Sequence, residues 1–76
     1  MTSDSSAVTL GSWVTVQAGE LQEAWRVVDP AEADAARRLI SADYPLGRAL
    51  LGHRAGEQVR VDSPGGRWPV TILAVE

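Results

Sequence analysis

Apolar and polar positions alternate at both ends of the chain, and the alternation gives way to a four-residue spacing near the middle. Val8, Leu10, Val14 and Val16 share one parity, with Gly11 between them as a candidate bulge, which predicts a long first strand. The stretch Gln17-Ala18-Gly19-Glu20 supplies a turn, and residues 21–29 follow as a second strand with Leu21, Trp25 and Val27 on one side. So short a glycine-containing link joins antiparallel neighbours. Asp29-Pro30 then stops the strand, because proline fixes its own φ and biases the residue before it away from helix. Residues 30–38 are rich in alanine and acidic side chains and suit one helical turn, and Leu39-Ile40-Ser41 is a short extended run.

Residues 43–52 read as a short helix. Pro45 suits the first turn, where a missing N–H costs nothing. Leu46 and Leu50 lie on one face with Ala49 beside them, and Gly52 is placed to end the helix in a left-handed conformation. A helix of about eight residues does not hold itself together in water, so packing must hold it. Residues 58–62 alternate again with Val59 and Val61 inward, Ser63-Pro64-Gly65-Gly66 is a strong turn signal, and Trp68, Val70, Ile72 and Ala74 share a parity in a last strand. Pro69 has no N–H for a ladder, so its position faces an edge or a bulge. The expected architecture is α+β: a twisted antiparallel sheet of four to five strands around one short helix. Residues 1–7 are expected to be a disordered polar leader, and residues 8–76 a single domain.

A chain of 76 residues is one domain at most, and it buries only about 60% of the surface it exposes when unfolded. Small domains often add disulfides or a structural metal to a thin core. Here there is no cysteine, and His53 is the one histidine, which cannot make a transition-metal site alone. No cofactor or metal is expected, and the core is expected to rest on aliphatics together with Trp13, Trp25 and Trp68. No apolar run approaches the roughly 20 residues that span a bilayer, and residues 1–6 lack the pattern of a signal peptide, so the cytoplasm is the expected compartment.

The net charge is −3 at pH 7, and every cation is an arginine. Nucleic-acid binding draws most of its affinity from neutralised phosphates, so an acidic domain without a basic stripe argues against direct DNA or RNA binding. Catalytic constellations are equally scarce. His53 follows the helix-ending glycine, where a surface histidine capping the helix is the plainer reading beside that of a general base. Ser41 and Ser63 lie in turn contexts without a nucleophile elbow. The carboxylates are spread over separate elements, and Gly65-Gly66 lacks the neighbours of a phosphate loop. These residues point away from an enzyme.

One segment, I-S-A-D-Y-P-L-G-R-A-L-L-G from Ile40 to Gly52, is denser in unusual choices than folding requires. Tyr44, the single tyrosine, precedes the helix-starting proline, where an oxygen-bearing cap such as Ser or Asp is the favoured choice. Either Asp43 caps in its place, or the helix start is left for something else to satisfy. Two readings of the ring stand side by side: an aromatic anchor for a protein interface, or a lid lying flat over the small core.

This segment resembles the signature of the C-terminal domain of Gre-family bacterial transcription elongation and transcript-cleavage factors, in which I-S-x-D/N-S-P is followed by a small residue, R-A-L and usually glycine. Upstream, V-T-L-G-S-W-V-T-V and W-R-V-V-D-P-A-E-A-D are similar to that domain's opening hairpin and acidic link. Downstream, G-E-Q-V-R-V-D-S-P-G-G-R-W-P-V-T-I-L-A-V is similar to its closing hairpin. The resemblance runs over about residues 8–75. It implies an FKBP-like fold and a binding module that docks on the coiled-coil rim of the RNA polymerase secondary channel through the turn before the helix. Carried over position by position, the docking residues are Asp43, Tyr44 and Pro45, with Leu46 and Arg48 nearby. Tyr44 departs from the serine usual in the family. Complete Gre factors also carry an N-terminal coiled coil whose acidic tip helps hold a catalytic magnesium ion. Only seven residues precede Val8, so this chain is expected to cleave no transcript, and to act as a monomer without DNA or membrane contacts. Two other functions share the fold: an FKBP-like peptidyl-prolyl isomerase, for which four aromatics furnish a poor pocket, and a regulator of the nucleoside diphosphate kinase type.

Overall fold

A computed structural model describes residues 7–76, and the part of the expected leader formed by residues 1–6 lies outside the described residues. Ala7, counted with that leader, forms an isolated antiparallel bridge with Arg54. The strands are β1 (Trp13–Ala18), β2 (Leu21–Val28), β3 (Leu39–Ser41), β4 (Gln58–Ser63) and β5 (Gly66–Val75), with one helix, α1 (Pro45–Leu50), between β3 and β4. They form a single sheet in the order β3-β2-β1-β5-β4. The hairpins β1–β2 and β4–β5 are antiparallel, as is the central β1–β5 pair. β3 runs parallel to β2, from Arg26↔Leu39 to Val28↔Ser41, so the sheet is mixed where a wholly antiparallel one was expected. The intervening chain makes two single 3-10 turns, Pro30–Glu32 and Ala35–Arg37, and re-enters alongside β2 in the same direction.

The core is aliphatic. Eight valines, Ile40, Leu50 and Ile72 make up the buried cluster. Of the tryptophans, Trp13 and Trp68 are exposed, while Trp25 is half-buried and packs against the edge of this cluster. A sheet curled around a helix of six residues leaves a shallow cup, and β-branched side chains standing on a pleated surface fill it. Leu50, wholly buried, is the plug that α1 contributes. Gly47 is buried as well, because a Cβ built on it would collide with the Ser41 carbonyl oxygen at the end of β3. Glycine in a helix interior is unfavourable by roughly 0.5–1 kcal/mol relative to alanine. Here it permits the close approach that seats the helix in the cup.

Three parity expectations shift. The first strand begins at Trp13, and Val8 reaches the core by another route: its N–H donates to the His53 carbonyl (2.9 Å) and its carbonyl accepts from Gly52 N–H (2.9 Å). Leu10, in the turn between, is exposed. Leu21, at the hairpin tip beyond the cup, is exposed too. In β5 a bulge interrupts pairing with β1, since Thr15 faces Ala74 while Val16 faces Ile72. Leu73 is the extra residue, and the phase change buries Val75 instead of Ala74. Pro69 pairs with Arg60 of β4, beyond the end of the β1 ladder, so its missing N–H leaves no gap between strands. No helix among the described residues is long and apolar enough to cross a membrane.

Candidate functional site

The chain leaves β3 through a tight corner before α1. Ser41 organises it: its hydroxyl accepts from Asp43 N–H (3.0 Å) and its carbonyl from Tyr44 N–H (3.0 Å). Tyr44 is the N-cap residue in extended conformation, Pro45 occupies the first helical position, and the Tyr44 carbonyl accepts the Arg48 N–H (2.8 Å). The helix runs to Leu50, and Gly52, just past it, has φ +85°. Neither Tyr44 nor Asp43 places a side chain on the free amides of the first turn. The Tyr44 ring is 62% exposed, so it does not lie over the core. Asp43 is exposed, and among the described residues no hydrogen bond or ion pair engages its carboxylate. The corner is therefore held by the Ser41 hydroxyl and carbonyl and presents the Asp43 and Tyr44 side chains outward.

Beside the corner runs an open apolar groove of about 980 Å³. Tyr44, Pro45 and Leu46 form part of its lining, together with β3, Trp25 of β2 and the Val61, Pro64 and Trp68 side of the closing hairpin. Three of the five sequence-assigned residues thus share one concavity, while Asp43 and Arg48 are exposed outside that lining. Three of the chain's four aromatics flank the groove, a concentration that the sequence pattern did not suggest.

Trp25 is held in place by its neighbours. Its indole N–H donates to Glu23 Oε1 (3.1 Å), and the Arg38 guanidinium lies over its ring at 5.0 Å from the centroid. Arg38 also pairs with Glu23 (3.5 Å). Arg38 is the one non-glycine residue among those described with positive φ, at φ 65° and ψ 30°. It closes the turn between Asp34 and Leu39, whose backbones exchange hydrogen bonds of 2.8 and 2.9 Å, and glycine or asparagine is the easy residue there. The left-handed backbone costs about 1–2 kcal/mol for a residue bearing Cβ. Against it stand an exposed ion pair of about 0.2–1 kcal/mol and an exposed cation–π contact of about 0.5–1 kcal/mol. These terms nearly cancel.

His53 does not cap the helix with its ring. Its Nδ1 lies 2.8 Å from Glu57 Oε1, and Glu57 Oε2 accepts the Arg54 N–H (2.8 Å), so the imidazole closes the loop between α1 and β4. The hydrogen bond from His53, helped by that from the Arg54 backbone, lowers the Glu57 carboxyl below its ordinary value of 4.5. Among the described residues no group of three or more His, Asp or Glu side chains is placed to hold a metal ion.

Residues 3–76 match the family model described as "Transcription elongation factor, GreA/GreB, C-term". The transcription elongation factor GreA of Thermotoga neapolitana is 44% identical over 75 residues, covering 95% of this chain and 47% of that protein. That of Bacillus cereus is 42% identical over 77 residues, covering 96% and 48%. Among solved structures, GreA factor homolog 1 (Gfh1) of Thermus thermophilus superimposes with a TM-score of 0.79 at 32% identity, covering 100% of this chain and 53% of that one. GreA/GreB from Nitrosomonas europaea gives 0.71 at 31% identity, covering 90% and 58%. The chain spans about half the length of the curated relatives it matches. On its corner, its mixed curled sheet and these likenesses together, the chain belongs to the GreA/GreB family of transcription elongation factors, of which it carries the C-terminal domain.

Proposed function

We propose that this domain is a binding module for bacterial RNA polymerase, docking at the coiled-coil rim of the secondary channel through the corner formed by Asp43, Tyr44 and Pro45, with Leu46 and Arg48 flanking. It works in the cytoplasm, where the polymerase is, and contributes binding while performing no chemistry of its own. The observation that carries this reading is the Tyr44 ring, 62% exposed on a corner whose backbone is internally hydrogen-bonded. Aromatic side chains held on fixed backbone are favoured anchors at protein interfaces. The open groove beside it adds apolar surface, and the exposed Asp43 carboxylate, on the corner but outside the groove's lining, is available to a basic partner group. Retention of core polymerase on the immobilised domain, wild type against Asp43→Arg, tests the assignment. Loss of retention in the variant is expected, and equal retention removes the corner from the interface.

Three aromatics around one apolar groove also favour a second reading, a peptidyl-prolyl isomerase that binds a proline-containing peptide there. An isomer-exchange measurement on a model prolyl peptide separates the two: acceleration by the wild type, lost in Trp68→Ala, supports the enzyme.

A further inference from the structure

We infer that Arg38 is a positioning residue for docking: by accepting a left-handed backbone it lays its guanidinium over Trp25 and, with Glu23, fixes the indole as a rigid wall of the groove. This inference rests on the proposed polymerase-docking role of the corner and groove. Trp25 lines the groove and Arg38 does not, so the guanidinium supports the ring without obstructing the concavity. The ring has a partner at each of its polar features. Glu23 takes the indole N–H at 3.1 Å, Arg38 covers a face at 5.0 Å, and the two supports are themselves joined at 3.5 Å.

Stability does not account for this arrangement. Arg38 is exposed at 51% and Glu23 is partly so at 32%, and ion pairs this open to water contribute little to folding. A glycine at position 38 would close the same turn without steric penalty, keeping the backbone bonds to Ala35 and from Arg26. What glycine could not do is hold the tryptophan. Without the guanidinium the indole keeps its packing against the core and its bond to Glu23 but loses the cover on one face, and any rotamer freedom so gained must be given up when a partner settles against it. The other Arg–Trp pair is looser and has no such location: Arg26 lies 5.9 Å from the Trp13 centroid, neither residue of that pair has positive φ, and neither lines this groove. Backbone strain held at the margin of a recognition groove is the pattern expected of a residue kept for function.

The test uses the full chain as wild type, Arg38→Gly and Arg38→Lys, with two readouts. The first is the order of the Trp25 indole N–H, measured by nitrogen relaxation without polymerase and assigned through Trp25→Phe. The second is affinity for core RNA polymerase. Arg38→Gly is expected to keep or raise the melting temperature, loosen the indole and weaken polymerase binding several-fold. Arg38→Lys, which keeps the charge opposite Glu23 but loses the planar stack, falls between. An indole as ordered in Arg38→Gly as in the wild type overturns the inference. So does a loosened indole with unchanged affinity while Asp43→Arg still abolishes binding. If the wild type itself fails to bind polymerase, the docking reading falls and the inference with it, whereas a loosened indole would still establish the clamp on Trp25.

Discussion

Leu50 and Tyr44 stand at opposite ends of one short helix and meet opposite fates: the leucine is sealed in the core, and the tyrosine is mostly in water. Around Leu50, valines from four strands and Ile72 close on the helix. Around Tyr44, the backbone is tied to Ser41 while the side chain is mostly exposed. One element of six residues thus divides its work by position. Its inner face holds the cup together, and its entry faces water.

That division can be broken most severely at Gly47. Gly47→Val drives a branched side chain into the Ser41 carbonyl, and backbone cannot yield as a flexible side chain can. The expected loss exceeds the roughly 1–3 kcal/mol usual for overpacking and removes a cooperative thermal transition altogether. Next is Leu50→Ala, which empties the centre of the cup. It is expected to lower stability by about 2–5 kcal/mol in denaturant titrations, with the corner's contacts unaltered in the molecules that remain folded. Tyr44→Ala reverses the pattern: stability stays within about 0.5 kcal/mol, while affinity for core polymerase falls by about tenfold, the effect of an interface anchor. A large stability loss in Tyr44→Ala would erase the contrast. The smallest effect belongs to Glu57. Its carboxyl is lowered below 4.5 chiefly by the His53 hydrogen bond. A group lowered on folding adds stability above its ordinary value and loses it as the pH falls through the lowered one. The melting-temperature difference between wild type and Glu57→Gln is therefore expected near neutrality and should vanish in acid below that range.

The contrast between these two regions was unevenly legible in the sequence. The hairpins, the helix start at Pro45, its end before Gly52 and the inward face of Val59, Val61, Val70 and Ile72 all follow from local rules of alternation, turns and proline geometry. Non-local matters did not. The parallel course of β3 depends on how two 3-10 turns carry the chain back along β2, and short apolar runs do not encode direction. Val8 is buried although the first strand begins only at Trp13, because Gly52 and His53 receive it. Leu73 becomes a bulge only because β1 imposes a register on β5. Hydrophobicity alone places the tryptophans in the core, yet a cup this shallow favours valine, and only Trp25 packs against it.

At the site, the exposed placement of Tyr44 and Asp43 agrees with an outward-facing corner, but the groove beside it could not be read from spacing, since it joins β2, β3, the helix entry and the closing hairpin. Arg38 gave no signal, because an arginine does not advertise a left-handed turn. Gly47 did: a glycine within so short a helix points to a close neighbour, and the neighbour is Ser41.

The two hydrogen bonds that Ser41 makes across the corner have a consequence for association kinetics. A loop that must be ordered on contact forfeits conformational entropy with every residue it freezes. This corner is already tied together through Ser41, so on the proposed docking role the free and bound backbones should nearly coincide. On that proposed role, substitutions at Asp43 and Tyr44 would retune the partner's grip while leaving the Ser41 scaffold intact.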